Sequence, residues 1–233
     1  MLTIAIVAEG PTDHVILENI LYGFSNDPDL NFTPLHPAVN NYGNKIVFEN
    51  GGFDRLIKFL GTQRFKEGLP LSDLVIIQID TDVCEQFGVS KFDQNGEAIE
   101  GDKILEAIKI KLIENIGSDF YQEWEHKIVF AISEEMIECW LLTLFYKGVN
   151  ESKESSSNEN CIKLINQKLK AKKPKRFIDP NNKQKEIYDI ISYDFSSHSK
   201  FKRLVNFNNS FKYFLDSLST KYNNLITSKS NNY

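Results

Sequence analysis

The sequence predicts an α/β fold with a mostly parallel sheet and helices on both faces, on three observations. Short, mainly apolar runs, Leu2–Ala8, Leu74–Ile79 and Lys127–Ile132, read as strands buried on both faces. Helical stretches alternate with them, the pattern that builds parallel sheets. Acids gather where the apolar runs end, the edge at which open α/β sheets bind ligands.

Leu2–Ala8 stops at Glu9-Gly10, and Pro11 stands where a first helical turn tolerates proline. Val15, Ile16, Leu17, Ile20 and Leu21 follow at helical spacing. Asn31–Val39 carries two prolines and reads as a weak strand, an edge or irregular piece. After the Asn50-Gly51-Gly52 turn, Phe53–Phe65 reads as a helix with Phe53, Leu56, Ile57, Leu60 and Phe65 inward. Leu74–Ile79 is the clearest strand and ends at Asp80-Thr81-Asp82. A polar, turn-rich stretch (Asp93–Asp102) precedes an amphipathic helix over Ile104–Ile116. Lys127–Ile132 is the next strand, with a helix expected from about Glu134 to Tyr146. The Ser-rich Asn150–Asn160 reads as a linker or surface loop. The expected organisation is thus an α/β domain over 1–149, a linker over 150–160 and a basic helical extension over 161–233, with helices near Cys161–Ala171, Gln184–Ser192 and Phe207–Leu218.

With 233 residues, 41% apolar and 25% charged, the chain can bury a core without staples, and disordered and collagen-like classes are excluded. Residues 1–150 hold 11 Lys/Arg against 24 Asp/Glu, a balance of −13, whereas residues 151–233 hold 16 against 8, a balance of +8. An acidic half suits cations and a basic half a polyanion, although two solvated surfaces would give the same split. Three cysteines without a CxxC pair (Cys84, Cys139 and Cys161) argue against a disulfide framework or a zinc site and for a reducing cytoplasm. The N-terminal run lacks the basic flank of a signal peptide, and no apolar stretch approaches the roughly 18 residues of a membrane span.

Glu9 ends the first strand, and Asp13 follows one helical turn later on the same side. Asp80 and Asp82 end the strongest strand; two apart on an extended backbone, they point the same way and can share one hard cation. Glu134, Glu135 and Glu138 follow the last strand, the first two reading as acids of a first helical turn. Taken singly, Glu9 reads as a helix-dipole acid and Asp80 and Asp82 as turn or capping residues. Their shared position after buried strands favours a common site. Phosphate-loop, dinucleotide and HExxH motifs are absent.

The AEGPTD segment over Glu9–Asp13, followed some seventy positions later by Asp80-Thr81-Asp82, resembles the TOPRIM domain of topoisomerases, primases and overcoming-lysogenization-defect nucleases. Asp13 stands where the latter carry a second acid. The topoisomerase form continues with a Gly-Glu pair where this chain has Val83-Cys84-Glu85, which argues against strand passage. Ser133–Leu142 looks like the Glu-x-Trp helix of small stand-alone bacterial TOPRIM-like proteins, several from anti-phage or mobile-element settings, and Lys200–Leu218 like their closing helical segment. The resemblance implies a Mg²⁺- or Mn²⁺-dependent nuclease of DNA or RNA, and an effector of bacterial anti-phage defence. It implies that Asp80 and Asp82 hold one ion, that Glu9 bridges or acts as general base, that Asp13 supports a second ion and that Glu138 completes the cluster. Trp140 reads as core.

The run Lys168, Lys170, Lys172, Lys173, Lys175 and Arg176 is the candidate nucleic-acid contact, against the ordinary reading of a solvated loop. Two other readings stand beside the nuclease: a non-catalytic or latent subunit held by an ATPase partner, and a DxD phosphatase or nucleotide-sugar transferase. The last leaves Glu9 unexplained.

Overall fold

The computed structural model describes residues 1–42, 45–146, 160–170, 176–204 and 207–230. Four strands form one all-parallel sheet in the order β2-β1-β5-β6: β1 (Thr3–Val7), β2 (Asn31–His36), β5 (Leu74–Asp80) and β6 (Ile128–Ser133). β3 (Val39–Tyr42) and β4 (Lys45–Phe48) form a separate antiparallel pair that the sequence reading missed. Proline explains the weakness of β2, which lies at the sheet edge.

Alternation along the strands splits the core in two. Ala5, Val7, Val75, Ile77, Ile79, Phe130 and Ile132 face α2 (Phe53–Leu60), α3 (Gln63–Gly68), α4 (Gly101–Ile116) and α5 (Ser118–Trp124). Ile4, Ile6, Ala8, Ile76, Val129 and Ala131 face α1 (Pro11–Ser25) and α6 (Glu138–Leu141). They also face the later helices α7 (Cys161–Leu169), α8 (Lys185–Ser192), α9 (His198–Leu204) and α10 (Asn209–Ser230). Those helices therefore share one core with β1 and α1. Trp140 sits in it, fully buried, stacked on Phe214 at 5.3 Å between ring centroids and donating from Nε1 to Ser210 Oγ at 2.9 Å.

Three expectations are corrected. No helix runs from Glu134 to Tyr146: Glu135 takes φ +62°, the chain bends, and α6 begins only at Glu138 before a 3₁₀ turn over Leu142–Phe145. Glu134 and Glu135 are thus not first-turn acids. The strand ends at Asp80 and the chain turns into a 3₁₀ helix over Thr81–Phe87, so Asp80 and Asp82 do not share an extended backbone. Finally, Cys139 and Cys161 form a disulfide, because α6 packs on α7 and brings together residues 22 apart in sequence. Cys84 stays free and buried. The cysteines therefore give no argument for a reducing compartment. The segment expected as a linker, save Asn160, lies outside the described residues.

On the loop-entropy account, closing a span of this length contributes about 3 kcal/mol. Reduction, or Cys139→Ser, is expected to lower the free energy of unfolding in urea by about that amount. Alkylation of the unreduced, denatured chain should modify Cys84 alone. Modification of all three cysteines would refute the pairing. No helix among the described residues is long and apolar enough to cross a membrane.

Candidate functional site

β1 has β2 on one side and β5 on the other, so the chain reverses its direction of travel through the sheet between β1 and β5. Parallel sheets open a crevice at the carboxyl ends of such a strand pair. Glu9 leaves β1 there, and Asp80 ends β5. A cavity of about 520 Å³ lies over this edge, lined by Glu9, Gly10, Thr12, Asp13, Phe48, Asp80, Lys183 and Lys185 among others.

The backbone fixes each acid. Glu9 Oε1 accepts from the Asp80 backbone N–H at 3.1 Å, joining the two strand ends. The carbonyl oxygen of Glu9 accepts from Gly52 N–H at 2.7 Å. A Cβ on Gly51 would fall 2.0 Å from that oxygen, and Gly52 has φ +107°, so the turn against Glu9 requires both glycines. Asp13 is buried at the start of α1, where its Oδ2 accepts from Gly10 N–H at 2.8 Å and closes the capping box. Asp80 Oδ1 accepts from Ser133 Oγ at 2.5 Å, Gln78 Nε2 at 2.7 Å and Ile137 N–H at 2.9 Å. Glu138 is completely buried. Its Oε1 accepts from Tyr188 Oη at 2.7 Å and pairs with Lys183 Nζ at 2.6 Å, while its Oε2 has no donor.

Burial and mutual repulsion set the electrostatics. Burial first, then Asp82 and Glu138, push the Glu9 carboxyl up to about 7 against the opposing Asp80 N–H and Lys183. Asp13 also rises to about 7, from burial and then from Glu138. Asp80 is held well above its ordinary range by burial and by Asp13, Glu9 and Glu138. Burial works against the Lys183 ammonium, but Glu138, Asp13 and Asp80 outweigh it and raise its pKa. Asp82 is exposed at the rim, its carboxyl raised by partial burial and by Glu135. Glu135 itself pairs with Lys91 at 2.9 Å.

The structure thus brings together Glu9, Asp13, Asp80 and Glu138 and leaves Asp82 at the edge. His14 belongs to the core: its Nε2 donates to the His36 carbonyl at 2.8 Å, and burial lowers its pKa to about 4. Lys168, Lys170 and Arg176 do not line the cavity, and Lys172, Lys173 and Lys175 lie outside the described residues. The cations at the cavity are Lys183 and Lys185, which sequence reasoning missed together with Gln78, Ser133 and Tyr188. Of these only Gln78 carried a signal, as the one polar residue inside LVIIQI.

Carboxylate oxygens are donors for a hard divalent cation, and a buried carboxylate oxygen without a hydrogen-bond partner fits such a ligand. Among the described residues, however, no group of three or more His, Cys, Asp or Glu side chains stands preformed to hold a metal ion. No protein-family model, curated protein sequence or solved structure matches the chain.

Proposed function

We propose that the chain is a Mg²⁺- or Mn²⁺-dependent nuclease of the TOPRIM type, cleaving phosphodiester bonds in DNA or RNA. The observation that carries this reading is the convergence of Glu9, Asp13, Asp80 and Glu138 at the strand crevice, with Glu138 Oε2 buried and without a donor. Such crowding of carboxylates costs stability unless a cation offsets it. Glu9, Asp13 and Asp80 would hold the ion, with Asp82 reaching from the rim and Glu138 from behind. A divalent ion in this place supplies Lewis-acid stabilisation of the phosphodiester and lowers the pKa of a bound water. Glu9 would bridge the ion or act as general base for the attacking water. Lys185 at the cavity mouth offers a charge for a backbone phosphate. The anti-phage setting rests on the sequence resemblance alone.

The test is incubation of the purified chain with plasmid, single-stranded DNA and total tRNA in Mg²⁺, Mn²⁺ or EDTA, beside Glu9→Ala and Asp80→Ala. Cutting that needs metal and disappears in both variants is the expected result and names the substrate. Cutting that survives in either variant would refute the assignment of that acid, and survival in both would refute the site.

A further inference from the structure

We propose that Lys183 is the resident counter-cation of the acidic centre, and that a divalent ion releases it on binding. The proposal deepens the metal-dependent reading and rests on it. It stands first on the lopsided solvation of Glu138. Oε1 takes both the Lys183 ammonium at 2.6 Å and the Tyr188 hydroxyl at 2.7 Å, whereas Oε2, equally enclosed, takes nothing. A buried carboxylate built only for an ion pair gains by spreading its donors over both oxygens, because an unmade hydrogen bond there costs the full desolvation of the atom. Glu138 is half satisfied, as a ligand awaiting a second cation would be.

The second observation is where each partner sits in the chain. Glu9, Asp13 and Asp80 sit at a strand end, a helix start and a strand end, and each is tied to backbone N–H groups or buried side chains. Lys183 lies in a stretch, Arg176–Gln184, without helix or strand, held upstream by the Asn166–Ile178 pair of hydrogen bonds and downstream by the start of α8. Its side chain is 39% exposed while that of Glu138 is 0% exposed. Lys183 is thus the one exposed residue of the five, on a stretch outside helix and strand.

Charge supplies the direction. Four carboxylates face one ammonium in the cluster, so exchange of a single positive charge for a double one is favoured wherever ligand oxygens are free to turn. Metal binding and release of the 179–184 stretch are then one equilibrium. By linkage, anything that holds Lys183 on Glu138 weakens the metal.

The experiment is limited trypsin digestion of the full chain in EDTA and in Mn²⁺, with calorimetric titration of Mn²⁺ into wild type and Lys183→Met. Trypsin must take Lys183 into its own pocket, so the bond after Lys183 is protected while the ion pair is made. Cleavage after Lys183 should rise severalfold with Mn²⁺ while cleavage after Lys185, inside α8, does not. Lys183→Met should bind Mn²⁺ more tightly, on the order of tenfold. Mn²⁺ binding with no gain, or a loss, of cleavage after Lys183 would overturn the release and leave the metal site standing. Binding to Lys183→Met alone would show a lysine that the ion cannot displace, which also overturns it. Binding to neither protein would overturn the metal-dependent reading and this proposal with it.

Discussion

Asp80→Asn is expected to abolish metal-dependent cleavage, by more than about 100-fold, while raising the melting temperature of the metal-free protein. The first effect follows from the nuclease reading: loss of partners that merely orient ligands already costs roughly 10–100-fold, and Asp80 would be a ligand. The second follows from the hydrogen bonds. Ser133, Gln78 and the Ile137 N–H all donate to Asp80 Oδ1. An asparagine keeps that oxygen and all three bonds, and removes one charge from a buried cluster of like charges. Relief of about 1–2 kcal/mol would raise the midpoint by roughly 2–8 °C for a chain of this size. Strain of this sort is tolerated where it serves a site. The checks are a nuclease assay and a circular-dichroism melt in EDTA at pH 8. A variant that melts several degrees lower would make Asp80 a structural hub instead.

The metal-free protein should also lose stability as pH rises from about 6.5 to 8, and saturating Mg²⁺ or Mn²⁺ should remove the loss. Glu9 and Asp13 have folded pKa values of about 7, against ordinary values of 4.5 and 3.8, and Asp80 is raised as well. The folded state thus holds protons that the unfolded chain has released, and stability from this source is complete below about pH 4 and lost as pH climbs through 7. His14, lowered from 6.5 to about 4, and His36, also lowered by burial, act oppositely: they favour the fold as pH rises, until the unfolded imidazoles are neutral at about pH 7.5. The two trends offset each other below pH 6.5. Above it the carboxyls outweigh what remains of the histidine titration, and the expected loss is about 1–2 kcal/mol, or roughly 2–8 °C in midpoint. Differential scanning calorimetry at pH 6.5 and 8, with EDTA or metal, measures it. A flat or rising midpoint in EDTA would show that the acids are already charged and separately solvated.

Much of the scaffold was legible in the sequence because its signals are local. β1, β5 and β6 are mainly apolar runs, and α1 announces itself with Pro11 and a helical stripe. Glu9, Asp13 and Asp80 could be placed because the ends of such runs define the ligand edge of a parallel sheet. What escaped depends on distant residues or on single backbone angles. One residue at φ +62° replaces the expected helix after β6, and a turn at Thr81 parts Asp82 from Asp80. Lys183 and Tyr188 reach the acids from more than a hundred positions beyond Asp80, and no periodicity marks them. The conspicuous Lys168–Arg176 run drew attention by density of charge, while two ordinary lysines line the cavity.

The shared core beneath α1 has a consequence for how this chain is made. The face of the sheet formed by Ile4, Ile6, Ile76, Val129 and Ala131 is covered in large part by Phe195, Phe201, Phe211, Phe214 and Leu218. On the ribosome that face lacks its cover until residues 195–218 have emerged from the exit tunnel. Until then the N-terminal strands and α1 show an apolar surface of the kind that chaperones retain. Synthesis itself thus sets a delay: all four acids are translated before the helices that bury Glu138 and bring Lys183 beside it, and the centre assembles only once those later residues have followed.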